Sequence, residues 1–285
     1  MPFVTAPDGT RLAYAEVGQG PPLICLPGGP GRASAYLEDL GGLSAHRTLV
    51  RLDLRATGHS EVPADPATLR FDRLADDVEA LRGHLGLTTV DVLGHSAGCI
   101  VAQAWAAQHP DRVGRLLLLT PSDLLQGGRR EDTAAIRAGF ADEDWYADAA
   151  EALAALDGAA PAQAQALVRA TRPFMYGRWD ARTQEHAAGA DRQSSRRAEL
   201  GFRGGADGAD GPDPAALLAD LRCVTAPVLV VGAERDTLTG LASVGRVAAC
   251  FPAAQTTVVP RAGHFPWVDE PAGLLAAVTP FLAGA

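Results

Sequence analysis

The chain has 285 residues, 47% of them apolar and 21% charged, and a net charge of −9. That length can bury a substantial core, and the acidic balance argues against a nucleic-acid partner or an anionic membrane surface, because phosphate binding needs a basic face. Lysine is absent, so a Schiff-base mechanism has no residue to use. No apolar run approaches the roughly 18 to 20 residues that cross a bilayer. The start, Met1 to Asp8, lacks the basic and apolar parts of a secretory signal, and a cytoplasmic location is expected. Cys25, Cys99, Cys223 and Cys250 are scattered in apolar contexts without a CxxC pair, which predicts buried free thiols, with neither a metal site nor a disulfide framework.

Phe3 to Thr5, a turn at Pro7-Asp8-Gly9 and Arg11 to Val17 predict an opening hairpin. Pro22 to Leu26 is an apolar run of buried-strand length that ends in Pro27-Gly28-Gly29-Pro30-Gly31. Five residues of proline and glycine offer backbone N–H groups and tight turning, either as half of an oxyanion hole or as an ordinary turn. A helix is expected over Ala35 to Leu40 and a strand over Arg47 to Leu52. The polar loop Asp53 to Ser60 then either braces the site or is a solvated connection. Leu74, Val78, Leu81 and Leu85 lie at helical spacing, with acids toward the start and Gly86 as the stop.

Val90 to Leu93 leads into Gly94-His95-Ser96-Ala97-Gly98 and a helix-forming run, Cys99 to Ala107. A serine held between a strand end and a helix start needs a turn so tight that only small neighbours fit, the pattern of a nucleophile elbow. Val113 to Leu119 is the next strand. This cadence predicts an α/β fold, a mostly parallel sheet with helices on both faces and function at the carboxyl ends of its strands.

The cadence breaks at Pro121. Residues 122–220 hold no apolar strand run and are rich in alanine, which predicts an inserted helical lid between core segments 1–121 and 221–285. The lid closes with a Gly/Asp-rich linker, Gly204 to Pro214, expected to be a mobile connection. Its aromatics either line a pocket or pack the lid helices together; Trp145, Tyr176 and Trp179 are candidate substrate contacts, as are Gly28 and His95. Strands resume at Val228 to Val231 and Thr256 to Val259, with a helix over Leu241 to Cys250 between them and a closing helix reaching Leu282. Asp236 and His264 each stand just beyond a strand end, on the rim that carries Ser96.

A serine hydroxyl needs a neutral imidazole to take its proton, and the imidazole needs a carboxylate to fix its tautomer. His264, in a glycine-containing loop after a strand, is the preferred base. The ring of His95 is expected to point away from the line of attack on Ser96, and His59 is kept only as a possible substrate contact. For the acid, Asp236 is preferred and Asp123, after the strand ending at Leu119, is the fallback.

With these residues in place the whole chain resembles the α/β-hydrolase superfamily, and Pro27 to Gly31 together with Asp53 to Ser60 resembles its proline iminopeptidase branch. That branch usually has histidine where this chain has Pro27, and glycine where it has His95. The resemblance implies an oxyanion hole built from the N–H groups of Ala97 and Gly29. It also implies a reaction without a cofactor on a small-molecule substrate: a serine hydrolase cleaving an ester or amide through an acyl-enzyme. The alternatives are an iminopeptidase-like aminopeptidase and a non-catalytic ligand-binding protein on the same scaffold. Ser96 stands where dehalogenases and epoxide hydrolases carry aspartate, which disfavours those two chemistries.

Overall fold

The computed structural model describes residues 1–204 and 213–284. Its frame is an eight-stranded sheet: β1 (Phe3–Thr5), β2 (Arg11–Val17), β3 (Pro22–Leu26), β4 (Thr48–Leu52), β5 (Val90–His95), β6 (Val113–Leu119), β7 (Val228–Ala233) and β8 (Ala254–Val259). The strands lie side by side in the order β1-β2-β4-β3-β5-β6-β7-β8. β1 and β2 form the expected hairpin, β2 runs antiparallel to β4, and every pairing from β4 to β8 is parallel.

Parallel strands buried on both faces need apolar side chains in both directions. β3 supplies them in alternation: Ile24 and Leu26 join one core layer, Leu23 and Cys25 the other. The first layer is closed by α1 (Leu74–His84) and α2 (Gly98–Gln108), through Leu74, Val78, Leu81, Ile100, Val101 and Trp105. Between β6 and β7 the described chain is helical: α3 (Thr133–Ala138), α4 (Tyr146–Leu156), α5 (Pro161–Ala170), α6 (Ala181–Ala188), α7 (Ala190–Gln193), α8 (Arg196–Gly201) and α9 (Pro214–Asp220). Most of the glycine-rich linker, residues 205–212, lies outside the described residues. α10 (Ala242–Ala248) connects β7 to β8. α11 (Pro266–Asp269) and α12 (Pro271–Ala283) end the chain, and Trp267, Leu274 and Val278 fill the second layer. Among the described residues no helix is long and apolar enough to cross a membrane.

Two expectations need correction. The predicted helix over Ala35 to Leu40 is a single 3-10 turn, Ser34–Leu37, after which Glu38 and Leu40 take positive φ values of 50° and 53°. Six residues are too few to repay helix nucleation, and Asp53 ties down the start of this segment by accepting from the N–H and Oγ of Ser34, both at 2.8 Å. Of the four free cysteines only Cys25 and Cys99 are fully buried, whereas Cys250 is half-buried and Cys223 exposed.

The loop after β4 is a brace. Besides Ser34, Asp53 accepts the His59 N–H at 3.0 Å. Two residues on, the buried Arg55 grips Asp77 of α1 through Nε (2.8 and 2.9 Å) and Nη2 (2.6 Å), and also bonds Asp8. Removing Asp77 leaves the buried Arg55 with only the partly exposed Asp8 as counter-charge. Asp77→Ala is therefore expected to cost no more than the ~3–5 kcal/mol of an uncompensated buried pair, read from the denaturation midpoint; an unchanged midpoint contradicts this role.

Candidate active site

Ser96 follows β5 at φ +54°, a left-handed conformation that costs a non-glycine residue about 1–2 kcal/mol. Its neighbours explain how the turn closes. A Cβ on Gly94 would stand 2.7 Å from the Gly98 carbonyl oxygen, and one on Gly98 would stand 2.3 Å from that of Leu26. The Ser96 N–H is held by the Leu119 carbonyl at 3.0 Å.

The glycine loop after β3 lies directly against this elbow. A Cβ on Gly28 would meet the Ser96 Cβ at 2.8 Å and the Ala97 nitrogen at 3.1 Å. Gly28, expected to touch substrate, is instead a close-approach residue, and its N–H donates to the Tyr36 hydroxyl at 2.7 Å. The N–H groups of Gly29 and Ala97 bond to no described residue.

His264 and Asp236 meet as the sequence order suggests. Nδ1 of His264 bonds Asp236 Oδ2 at 2.9 Å, with the two residues 2% and 1% exposed. A carboxylate only accepts, so Nδ1 carries a proton, and in the neutral tautomer this selects Nε2 is the nitrogen with the lone pair. Asp236 also accepts from the N–H groups of Leu238 (2.8 Å) and Thr239 (3.1 Å) and from the Thr239 hydroxyl (2.6 Å). Burial pushes its carboxyl up, but His264 and these donors outweigh it and hold the group below its ordinary value. Asp123, the fallback acid, is spoken for by Arg246 at 2.7 Å.

The backbone of His264 is fixed as firmly as its ring. Its N–H donates to Met175 O at 2.8 Å, and its carbonyl accepts from Thr120 Oγ1 (3.1 Å) and from His95 Nε2 (2.9 Å). Since a carbonyl cannot donate, His95 carries its proton on Nε2, and Nδ1 accepts from the Tyr36 hydroxyl at 2.6 Å. Both ring nitrogens of His95 are thus engaged, in a chain that runs Gly28, Tyr36, His95, His264. His186 extends the chain: Nε2 donates to the Tyr36 carbonyl (2.9 Å) and Nδ1 accepts from the Tyr176 hydroxyl (2.7 Å). Burial, with the nearby His264, drives the pKa of His95 well below its ordinary 6.5, and burial lowers that of His186 to about 4.

Ser96 and His264 open onto one cavity of about 810 Å³, which Gly29, Pro30, His95 and Phe265 also line. Its opposite wall comes from α5, α7 and α8 and their flanks, including Gln165, Val168 and Met175. The three lid aromatics expected to touch substrate are not among its lining. Trp145 packs with Phe140 and Phe174 in a separate cluster, Tyr176 is buried on His186, and Trp179 stacks near Tyr176 at 5.5 Å between centroids. His59 is exposed on the brace loop and takes no part. The sequence reading missed Arg32, Tyr36 and Phe265. Only the position of Arg32, directly after the proline-glycine run, hinted at a role.

A mostly parallel sheet with a left-handed serine after its fifth strand, and an aspartate–histidine pair beyond its last two, defines the α/β-hydrolase class. The chain belongs to the α/β-hydrolase fold family, whose profile it matches over residues 21–271. A proline iminopeptidase from Heyndrickxia coagulans is 33% identical over 116 residues, 40% of each chain. A soluble epoxide hydrolase from Corynebacterium sp. (strain C12) is 35% identical over 122 residues, 42% of this chain and 40% of its own. The matches thus span about two fifths of these relatives. An esterase from Rhodococcus sp. ECU1013 superposes with a TM-score of 0.73 at 21% identity, over 99% of this chain and 98% of its own, a likeness of fold.

Two outcomes test the histidine–tyrosine chain. Tyr36→Phe leaves the Gly28 N–H and His95 Nδ1 without partners and should destabilise the fold by about 1–3 kcal/mol; thermal melting reads the loss. His186 is depressed relative to the unfolded chain, so its contribution is complete above about pH 6.5 and is lost as pH falls toward about 4. The loss is about 3 kcal/mol by the end of that window, and His186→Gln should flatten this part of the stability–pH curve. A variant as steep as wild type there removes His186 as the cause.

Proposed function

We propose that the protein is a serine hydrolase that cleaves an ester of a small molecule through an acyl-enzyme. The observation that carries this reading is Ser96, at a left-handed elbow, sharing one cavity with a histidine whose Nδ1 proton is fixed by a buried aspartate. His264 Nε2 takes the proton of Ser96 Oγ as the oxygen attacks the carbonyl carbon. The tetrahedral oxyanion is met by the N–H groups of Ala97 and Gly29, which no acceptor among the described residues engages. His264 passes its proton to the departing alkoxide, and the acyl group stays on Ser96. Water then attacks the acyl-enzyme, again losing a proton to His264, which returns it to Ser96. Asp236 keeps the imidazole in the tautomer each step needs. Residues 122–220 serve as the lid, a role supported by the helical residues along the far wall of the cavity.

An aminopeptidase needs a free carboxylate to hold the substrate's ammonium group. The carboxylates lining the cavity, Asp191 and Glu199, are both ion-paired, Asp191 with Arg169 and Arg172 and Glu199 with Arg196. That favours an ester over an N-terminal peptide bond. Ser96→Ala is expected to lower kcat by about 10⁶-fold against aryl esters and to abolish labelling by a fluorophosphonate, while the melting profile stays that of a folded protein. Turnover at the wild-type rate in Ser96→Ala sinks the mechanism; a wild-type protein that neither labels nor turns over supports a binding protein on the same scaffold instead.

A further inference from the structure

Arg32 follows the glycine loop, lines the same cavity as Ser96, and is only 7% exposed. A guanidinium buried to that degree is normally paired with a carboxylate, because an uncompensated buried charge is costly. Among the described residues Arg32 has no such partner. Nε and Nη2 donate to the neutral Gln193 Oε1, at 3.0 and 2.8 Å, and Nη2 also reaches the His186 carbonyl at 3.5 Å. Nη1 bonds to no described residue. The group is oriented by aromatic faces, lying 4.2 Å from the Tyr36 centroid and 5.7 Å from that of Phe265.

A purely architectural role does not require this charge. Backbone pairing already joins the glycine loop to α7 and its flank: Ala33 N–H donates to Gln193 O and Ser195 N–H to Gly31 O, each at 2.8 Å. The other charged residues lining the cavity are ion-paired, Arg172 with Asp191, which it shares with Arg169, and Arg196 with Glu199. Among the described residues lining the cavity, Arg32 is the charged group without an ion-pair partner, and it is positive.

We propose that Arg32 is an anion subsite, and that the ester hydrolysed at Ser96 carries a carboxylate which the guanidinium receives. The inference rests on the hydrolase reading above and names its substrate class. Arginine suits the task because its planar N–H donors match a carboxylate and stay charged throughout the working range of pH. The same charge repels an α-ammonium group. Burial weakens the guanidinium's hold on its proton, and the negative charge of an incoming carboxylate acts against that.

Two matched pairs of esters test the subsite. One carries the charge on the acyl side: 4-nitrophenyl hemiglutarate against its methyl-ester counterpart. The other carries it on the leaving group: 4-carboxyphenyl butyrate against 4-(methoxycarbonyl)phenyl butyrate. Wild type is expected to favour the carboxylate by about tenfold or more in kcat/KM in at least one pair. Arg32→Gln should collapse that ratio, and Arg32→Lys should restore part of it. A wild-type enzyme that hydrolyses the neutral member of both pairs at least as well overturns the proposal, whether or not the variants fold. So does a ratio that Arg32→Gln leaves intact. If no ester is turned over and a fluorophosphonate leaves Ser96 unlabelled, the hydrolase reading falls and glutarate binding decides the subsite. Saturable thermal protection of wild type that Arg32→Gln lacks supports it; equal protection, or none, overturns it.

Discussion

The site depends on the hydroxyl of Tyr36. It accepts the Gly28 N–H and donates to His95, whose far nitrogen donates to the carbonyl of His264. One buried group thereby sets the distance between the glycine loop, the elbow and the His264 loop, three loops that arise at three different strand ends. The arrangement works only while His95 is neutral, since Nδ1 must accept. Burial ensures this by disfavouring the imidazolium. A glycine at position 95, as in the iminopeptidase pattern, has no side chain with which to make the connection. The departure from that pattern is thus a different way of holding the same loops.

Close approach imposes the second constraint. Gly28, Gly94 and Gly98 are glycines because a Cβ at any of them would fall within 3 Å of a neighbouring backbone or Ser96 atom. Ser96 has no such freedom and carries the strain of positive φ itself. The surrounding contacts over-determine its position: the Leu119 carbonyl takes its N–H, and its own carbonyl accepts from Cys99 and Ser122.

The sheet was legible in the sequence because buried parallel strands read as short apolar runs at regular spacing, and the elbow because its steric demands are local. Ser96, Asp236 and His264 could be chosen from their places after strands, and the fold brings the latter two into contact at 2.9 Å. What could not be read were contacts between residues far apart in the chain. Tyr36 was hidden in an apparent helix, and nothing local says that it faces His95 and His186. Trp145, Tyr176 and Trp179 had the composition of pocket walls, but aromatic side chains also pack well on each other, and here that pairing won. Arg32 looked like one arginine among many in a chain without lysine. Its meaning lies in an acid that is missing from its surroundings, a feature that only the folded neighbourhood reveals.

The helical segment between β6 and β7 is coupled unequally to His264. Met175 takes the His264 N–H, and Asp269 accepts the N–H groups of both Gly177 and Gly263, at 2.8 and 2.7 Å. Displacing residues 174–177 therefore displaces the histidine. Burial raises the Asp269 carboxyl to about 6, against the pull of those two donors and of Arg178, so the clamp is itself weakened in acid. α4 and α5 have no such bond to the His264 loop. They pack on each other and on the turn at Arg172–Met175, and α5 contributes Ala164, Gln165 and Val168 to the cavity wall. A substrate that enters by moving α4 and α5 leaves the aspartate–histidine pair undisturbed, whereas one that enters by moving residues 174–177 breaks the geometry it needs. The bonding pattern thus ties the stretch around Met175 to His264, although it lies in the inserted segment.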